Sequence, residues 1–390
     1  MILIELCGVN MNKALFILSN FTKGGIQTQA IAIAKHLQKN HHFIIEFWCV
    51  GHIEQSFVQL LEKESFIWRK DDTLSKLFVN SYYKKNKLQK FKLLFKAWSV
   101  LYKIKVDVVF PFSQALAVNL LFKVSFIKLS FWFERGGHIS PKPNKQTILD
   151  KIVSFNAPTY VANSEHGANA LAIMRGVKSD NVKVIRNEFV PIVNSNKEVF
   201  DLTQYKITTD DFVFVMVANF FSEKDHETLI RAWQLIPSQY RAKLLFAGLG
   251  GPSVCIEQHE KMKHLSEQLN LSDDIVFLGK DCNIASLLEV ADVGILSSFS
   301  EGCPNAVLEY MSAKLPLLVS NIPGIEEIIP NNNFVFQVND VNSCYIAIIK
   351  LLTAKSELAN IGKANYKYLL ENFCSGLMYK RYSELISVVE

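Results

Sequence analysis

The sequence predicts two doubly wound α/β domains in tandem, and three observations predict it. A chain of 390 residues with 49% hydrophobic and 20% charged content is a folded globular protein long enough for two cores of ordinary size. Short apolar runs alternate with segments whose apolar residues recur at helical spacing, the pattern of parallel strands and crossover helices. Residues 191–205 are polar and aperiodic, with Asn194-Ser195-Asn196-Lys197 as their least structured part, and the alternation restarts beyond them.

In the first half, residues 14–19 read as a strand, followed by Gly24 and Gly25 and then by Ile26, Ala30, Ile33, Ala34 and Leu37 at helical spacing. Further strands are expected at 43–50, 106–110, 128–133, 158–163 and 182–185, with helices over 115–124 and 165–174. The second half reads as strands at 212–218, 243–247, 275–278, 292–298 and 315–320, with helices over 226–235, 259–269, 284–290, 305–313 and 342–353. The domains are accordingly placed at 1–190 and 191–365, with 366–390 as a C-terminal segment. Met11 runs straight into the first strand and reads better as the natural start, which leaves residues 1–10 dispensable.

Composition narrows the function classes. The seven cysteines are scattered, with no CxxC or Cys/His cluster, so neither a zinc site nor a disulfide framework is indicated and a reducing cytoplasm fits. No apolar run reaches the roughly 18 residues of a membrane span, and the N-terminus lacks a signal peptide's pattern. The net charge of +5 is unevenly placed. Between Thr73 and Val106 there is no acidic residue, while Lys76, Lys84, Lys85, Lys87, Lys90, Lys92, Lys96, Lys103 and Lys105 are interleaved with aromatics. Residues 76–105 therefore fit an amphipathic helix meeting an anionic membrane surface. The alternative is a solvated helix whose Phe91, Leu94, Phe95 and Trp98 face packs on the core. No RNA or DNA module accompanies the basic run, so no nucleic-acid partner is expected.

The most informative stretch is Glu301-Gly302-Cys303-Pro304-Asn305-Ala306-Val307-Leu308-Glu309. Pro304 suits the first helical position, which puts Glu301 in the preceding loop and Glu309 about one turn inside the helix. In open α/β sheets ligands bind outside the carboxyl ends of strands, where this loop falls. Glu301 can accept hydrogen bonds from hydroxyls, the N–H groups around Asn305 and Ala306 can meet an anion, and Glu309 can hold a second set of hydroxyls. A nucleotide-sugar has all three parts; two solvated glutamates beside an ordinary helix start are the bland alternative. Lys224 is presented by a loop between a strand and a helix, where an ammonium suits a diphosphate, or is a solvated charge. The Gly248-Leu249-Gly250-Gly251 loop leaves room for close backbone approach, as does Gly24-Gly25 at the first strand-to-helix turn. For the latter pair the alternative is a tight turn requiring φ > 0.

With these motifs in this order, the chain resembles glycosyltransferase family 4, retaining enzymes of the GT-B fold with two Rossmann-like domains facing across a central cleft. The resemblance spans nearly the whole chain. Its most specific element is Ser300-Glu301-Gly302-Cys303-Pro304-Asn305 with Glu309, followed by Pro316 and Pro323-Gly324-Ile325-Glu326-Glu327-Ile328-Ile329. The resemblance implies Glu301, in one loop with Gly302, Pro304, Asn305 and Ala306, beside the donor sugar, Glu309 on the ribose and Lys224 on the diphosphate. Gly24 and Gly25 would close over the phosphates, and Gly279 and Lys280 lie where similar proteins hold the base. It further implies a UDP- or GDP-sugar donor, no cofactor and no metal, and front-face attack with the leaving phosphate as base.

Many relatives place an arginine where this chain has Asn219. Arg135, with Glu134 facing acceptor and donor, or Arg186 would replace that cation; a purely structural arginine is the alternative, and His138 lies in the same strand-end segment. The expected protein is cytoplasmic, peripheral on the inner face of the membrane, and moves a sugar to a lipid-linked glycan during surface-polysaccharide (O-antigen or lipopolysaccharide) assembly. The other readings are an epimerase or phosphorylase on the same fold, or a catalytically silent sugar-nucleotide-binding protein, which Asn219 raises. In similar proteins the C-terminal segment packs back on the first domain.

Overall fold

A computed structural model of the chain describes residues 11–22, 24–70, 86–112, 121–122, 125–137, 141–142, 158–189, 199–248, 253–279, 282–331 and 333–389. They form two sheets. The first contains β1 (Lys13–Leu18), β2 (Ile44–Cys49), β3 (Ile67–Lys70), β4 (Val108–Pro111), β5 (Leu129–Glu134), β6 (Thr159–Ala162) and β7 (Val182–Val184), in the order β3-β2-β1-β4-β5-β6-β7. The second contains β8 (Phe212–Val217), β9 (Ala242–Ala247), β10 (Ile275–Gly279), β11 (Val293–Leu296), β12 (Leu317–Ser320) and β13 (Phe334–Phe336), in the order β10-β9-β8-β11-β12-β13. The neighbours pair in parallel. Each sheet reverses its winding beside its first strand, at β1/β4 and at β8/β11, and these switch points are where open α/β sheets leave a crevice.

Helices cover both sheets. α1 (Gly25–His41), α2 (Gln55–Lys63), α3 (Lys87–Ile104) and α4 (Glu165–Arg175) serve the first. The second carries α5 (His226–Trp233), α6 (Ser253–Gln268), α7 (Ile284–Glu289), α8 (Asn305–Ser312), α9 (Pro323–Glu326), α10 (Val341–Thr353) and α11 (Lys355–Phe373). Strands covered on both faces read as continuous apolar runs, and β1 and β8 are buried along nearly their whole length. The last helix, α12 (Leu377–Ile386), changes sides. α11 places Leu358, Leu369 and Phe373 in the second core, whereas Met378, Tyr382 and Ile386 are buried with Phe110 and Phe131 in the first. Gly376 makes the crossing with φ of 74°, and the Glu188 carboxylate accepts from Gly376 N at 2.8 Å.

The expected elements omit α2, β3, α9 and β13. β3 is an edge strand of sequence Ile-Trp-Arg-Lys, half of it basic, so no apolar run marks it. Most of the helix expected at 115–124, residues 1–10, residues 76–85 of the basic segment and residues 191–198 of the expected linker lie outside the described residues.

α3 corrects the packing alternative. Ala97 and Leu101 are buried, and Leu94 and Trp98 pack partly against them, but Phe91 is 67% and Phe95 58% exposed. At about 100° per residue, the exposed Leu88, Phe91, Phe95 and Tyr102 fall on one stripe, and the exposed Lys92, Lys96 and Lys103 on the next. The aromatic stripe continues through ring contacts Phe95–Trp98 (5.4 Å), Trp98–Tyr102 (5.4 Å) and Tyr102–Phe126 (6.4 Å).

β11 ends in the loop that carries Glu301, and Tyr310 of α8 lies flat on it. A Cβ at Gly294 would come within 2.2 Å of Tyr310 Cγ. Gly294→Ala is therefore expected to lower stability by about 1–3 kcal/mol through overpacking, read as a lower urea midpoint with an unchanged m value.

Candidate functional site

Three strand ends build the site. β8 runs into a loop holding Asn219, whose carbonyl accepts from Phe221 N at 2.8 Å; the loop closes with a 3₁₀ turn, Ser222–Lys224. Asp225, at φ of 46°, redirects the chain into α5, and its carboxylate accepts from Thr228 N at 3.3 Å. β11 runs into residues 297–304 and then α8. The two loops are tied together. Phe299 N donates to Glu223 O (2.8 Å), and the Ser297 hydroxyl reaches the Lys224 and Asp225 carbonyls (3.0 and 3.1 Å). Lys224 Nζ is paired with Glu301 Oε1, which also accepts from the Ser298 hydroxyl at 2.6 Å.

This ion pair is mostly shielded, with 25% of the lysine side chain and 12% of the glutamate exposed. Two titratable groups beside it are held neutral. Burial, helped by Lys224 and His259, drives His226 down to about 3, and burial pushes the Cys303 thiol up to about 12. Neither is poised to carry a proton or attack a substrate. Pro304 caps α8 rather than occupying its first turn, one position from expectation. Ala306 and Glu309 sit half-buried on α8. Gly279 ends β10 with φ of 74°, and a Cβ there would meet nothing within 4 Å. Lys280 and His138 lie outside the described residues.

The third strand end is β1. Gly24 caps α1 in an extended conformation with φ of −176°, and Gly25 is not among the positive-φ residues, so a left-handed turn is not what these glycines provide. Close approach is. A Cβ at Gly25 would lie 2.9 Å from Asn305 Nδ2, and that amide faces the Gly25 carbonyl at 3.5 Å. The end of β5 meets the same loop. A Cβ at Gly302 would be 2.4 Å from Asn163 Oδ1 and 2.9 Å from the Arg135 carbonyl, and one at Gly137 would be 2.4 Å from the Glu301 carbonyl.

Arg135 reaches this contact indirectly. Its Nη1 donates to Asn187 Oδ1 (3.0 Å), its Nη2 to the Tyr382 hydroxyl (3.3 Å), and its guanidinium lies 5.0 Å from the ring centroids of Phe112 and Phe133. Asn187 Nδ2 in turn donates to the Cys303 carbonyl (3.1 Å) and Asn305 Oδ1 (3.0 Å). Glu134 Oε1 accepts from Gly136 N at 3.0 Å. Arg186 lines a cavity of about 210 Å³ with Glu165, Glu188 and Arg381. Sequence reasoning missed Asn163, Asn187, Ser298 and Tyr310. Ser298 and Tyr310 adjoin a motif it used and Asn187 follows the candidate Arg186, but Asn187 acts on the loop after β11 from 116 and 118 positions away, and Asn163 bonds the Arg135 carbonyl from another strand end.

Residues 200–368 match the family profile described as "Glycosyl transferases group 1". Through these residues the chain is similar to the group 1 (family 4) glycosyl transferases. Among its relatives, N-acetyl-alpha-D-glucosaminyl L-malate synthase of Bacillus anthracis is 27% identical over 191 residues, 47% of this chain and 49% of that protein. The UDP-Gal:alpha-D-GlcNAc-diphosphoundecaprenol alpha-1,3-galactosyltransferase of Escherichia coli is 26% identical over 190 residues, 47% of each. The chain thus spans about half the length of the curated relatives it matches. Solved structures align over nearly the whole chain. A glycosyltransferase of Rickettsia africae gives a TM-score of 0.78 at 20% identity, covering 98% of this chain and 100% of that one. Anabaena HepE in complex with UDP and glucose gives 0.76 at 16%, covering 96% and 99%. At such identities the likeness concerns the fold: the chain shares the two-sheet GT-B architecture.

Tyr310 is the support under the site. Its buried hydroxyl accepts from Val217 N (2.6 Å) and donates to the Ile295 carbonyl (3.0 Å), joining α8 to both β8 and β11. Tyr310→Phe leaves a buried N–H without its acceptor, so a stability loss of about 1–3 kcal/mol is expected, measurable by thermal or urea denaturation.

Proposed function

We propose that the protein is a retaining glycosyltransferase that moves a sugar from a UDP- or GDP-sugar to a lipid-linked glycan acceptor in surface-polysaccharide assembly. The observation that carries this reading is the Lys224–Glu301 pair, a cation and a hydrogen-bond acceptor held on adjacent strand ends opposite the Gly24-Gly25 turn. An incoming diphosphate takes Lys224 as its counter-charge, which turns Glu301 toward the sugar hydroxyls. The first N–H groups of α8, at Asn305 and Ala306, have no intrahelical acceptor and suit the phosphates. Glu309 serves the ribose hydroxyls, and the Gly279-Lys280 turn serves the base. HepE, solved with UDP-glucose, supports a nucleotide-sugar in this architecture.

In the transfer, the bond from sugar C1 to the diphosphate oxygen breaks as the acceptor oxygen bonds to C1 from the same face, and the acceptor's proton passes to the departing phosphate. Lys224 and the α8 N-terminus stabilise the charge on that leaving group, so the scheme calls for no metal and no protein nucleophile. Arg135 acts at one remove, through Asn187.

Two observations support the acceptor half. The Escherichia coli relative is named for a diphosphoundecaprenol acceptor, and α3 exposes an aromatic stripe beside a lysine stripe, which suits peripheral attachment to an anionic membrane face. No helix of the described residues is long and apolar enough to cross a membrane.

Glu301→Ala and Lys224→Ala are each expected to cut transfer by ~100-fold or more with unchanged circular dichroism; full activity in either purified variant would sink the assignment. Lys92→Glu with Lys96→Glu is expected to weaken binding to anionic liposomes and turnover on a lipid-linked acceptor while sparing a soluble analogue. Equal wild-type binding to neutral and anionic liposomes would count against the membrane role.

A further inference from the structure

We propose that Glu327 is a positioning residue that latches the two domains together by capping a helix of the first, a role resting on the donor-site reading above. The first turn of any helix presents N–H groups that its own carbonyls do not reach. In α4, Ser164 serves one of them, its hydroxyl accepting from Gly167 N at 2.9 Å. The next two are served from the other sheet's chain: Glu165 N donates to Glu327 Oε2 and His166 N to Glu327 Oε1, both at 2.7 Å. One carboxylate thus spends both oxygens on adjacent amides at the positive end of a helix, a charge-assisted arrangement shorter than an ordinary N–H···O bond.

The latch bears directly on Glu301. Glu327 directly follows α9, whose Gly324 is pressed against the site loop: a Cβ there would lie 1.9 Å from the Glu301 carbonyl. Fixing Glu327 on α4 therefore fixes α9, and with it the backbone that presents Glu301 to the first domain. Asn187 holds the same loop from its far side through Cys303 and Asn305. Every one of these bonds joins partners more than a hundred positions apart, so separating the domains breaks them together and returns the Glu327 oxygens and the α4 amides to water. The neighbouring Glu326 is exposed, makes no such contact, and provides an internal control.

The test compares the full-length wild type with Glu327→Ala, Glu327→Gln and Glu326→Ala by small-angle X-ray scattering, with and without UDP, by calorimetric UDP binding and by steady-state kinetics. Glu327→Ala is expected to scatter as a more extended particle and to lose about tenfold or more in kcat, since closure gains only what its differential contacts supply. UDP affinity and donor KM should stay within about twofold, because the charged and hydrogen-bonding donor contacts, Lys224, Glu301, Glu309 and the α8 amides, lie on the second domain. Glu327→Gln, which keeps one acceptor oxygen, should fall between, and Glu326→Ala should match the wild type. A Glu327→Ala protein as compact and as fast as the wild type overturns the latch, as does a change in KM alone. Should Glu327→Ala fail to fold, Glu327→Gln decides on the same readouts. If the wild type binds neither UDP nor GDP in the same calorimetry, the donor reading falls, and the scattering comparison alone still decides the latch.

Discussion

The arrangement depends on backbone meeting backbone. Where the loop after β11 touches the end of β5, glycines let the two chains meet closely: Gly302 rests on the Asn163 amide and the Arg135 carbonyl, Gly137 on the Glu301 carbonyl, and Gly324 on Glu301 from behind. These glycines are wanted for close approach, not for unusual dihedrals, since none of the three has positive φ. A methyl group at Gly302 or Gly137 would hold the domains apart by an amount comparable to the tolerance of a reactive geometry, and one at Gly324 would push the Glu301 backbone from behind. The surrounding amides, Asn163, Asn187 and Asn305, then satisfy the polar groups that such contact removes from water.

Within that contact, charge is rationed. Lys224 and Glu301 neutralise one another, and Ser298 holds the carboxylate from below. Two nearby ionisable groups are held neutral by burial: His226 stacks on Phe220 at 4.1 Å, and Cys303 is enclosed. A ligand anion that takes Lys224 leaves the shielded Glu301 carboxylate in need of new donors, which the Ser298 hydroxyl already supplies in part.

Legibility followed the range of the interactions. The buried strands were visible because covering both faces forces continuous apolar runs, and the Glu301–Glu309 segment was visible because a loop, a proline and a helix start are local features. β3 escaped because an edge strand has one exposed side and can be written with arginine and lysine. Asn187 and Glu327 escaped for a different reason: an asparagine and a glutamate carry no pattern of their own, and their partners lie 118 and 162 positions away. The glycine pair at 24–25 was located correctly, but only coordinates separate close approach from a left-handed turn. On α3 the sequence showed lysines and aromatics without showing that Ala97 and Leu101 take the core, leaving Phe91 and Phe95 outside.

The crossing at Gly376 also orders events in time. The first core contains Met378, Tyr382 and Ile386, which leave the ribosome after every strand of both sheets. Phe110 and Phe131 therefore wait for their covering helix until α12 has emerged, on the order of tens of seconds after their own strands. During that interval the second sheet can fold to its finished state while the first remains open on one face, a natural substrate for a holding chaperone. Completion of the first core is thus gated by α12, and a chain interrupted before Leu377 leaves the first sheet, not the nearer second one, unfinished.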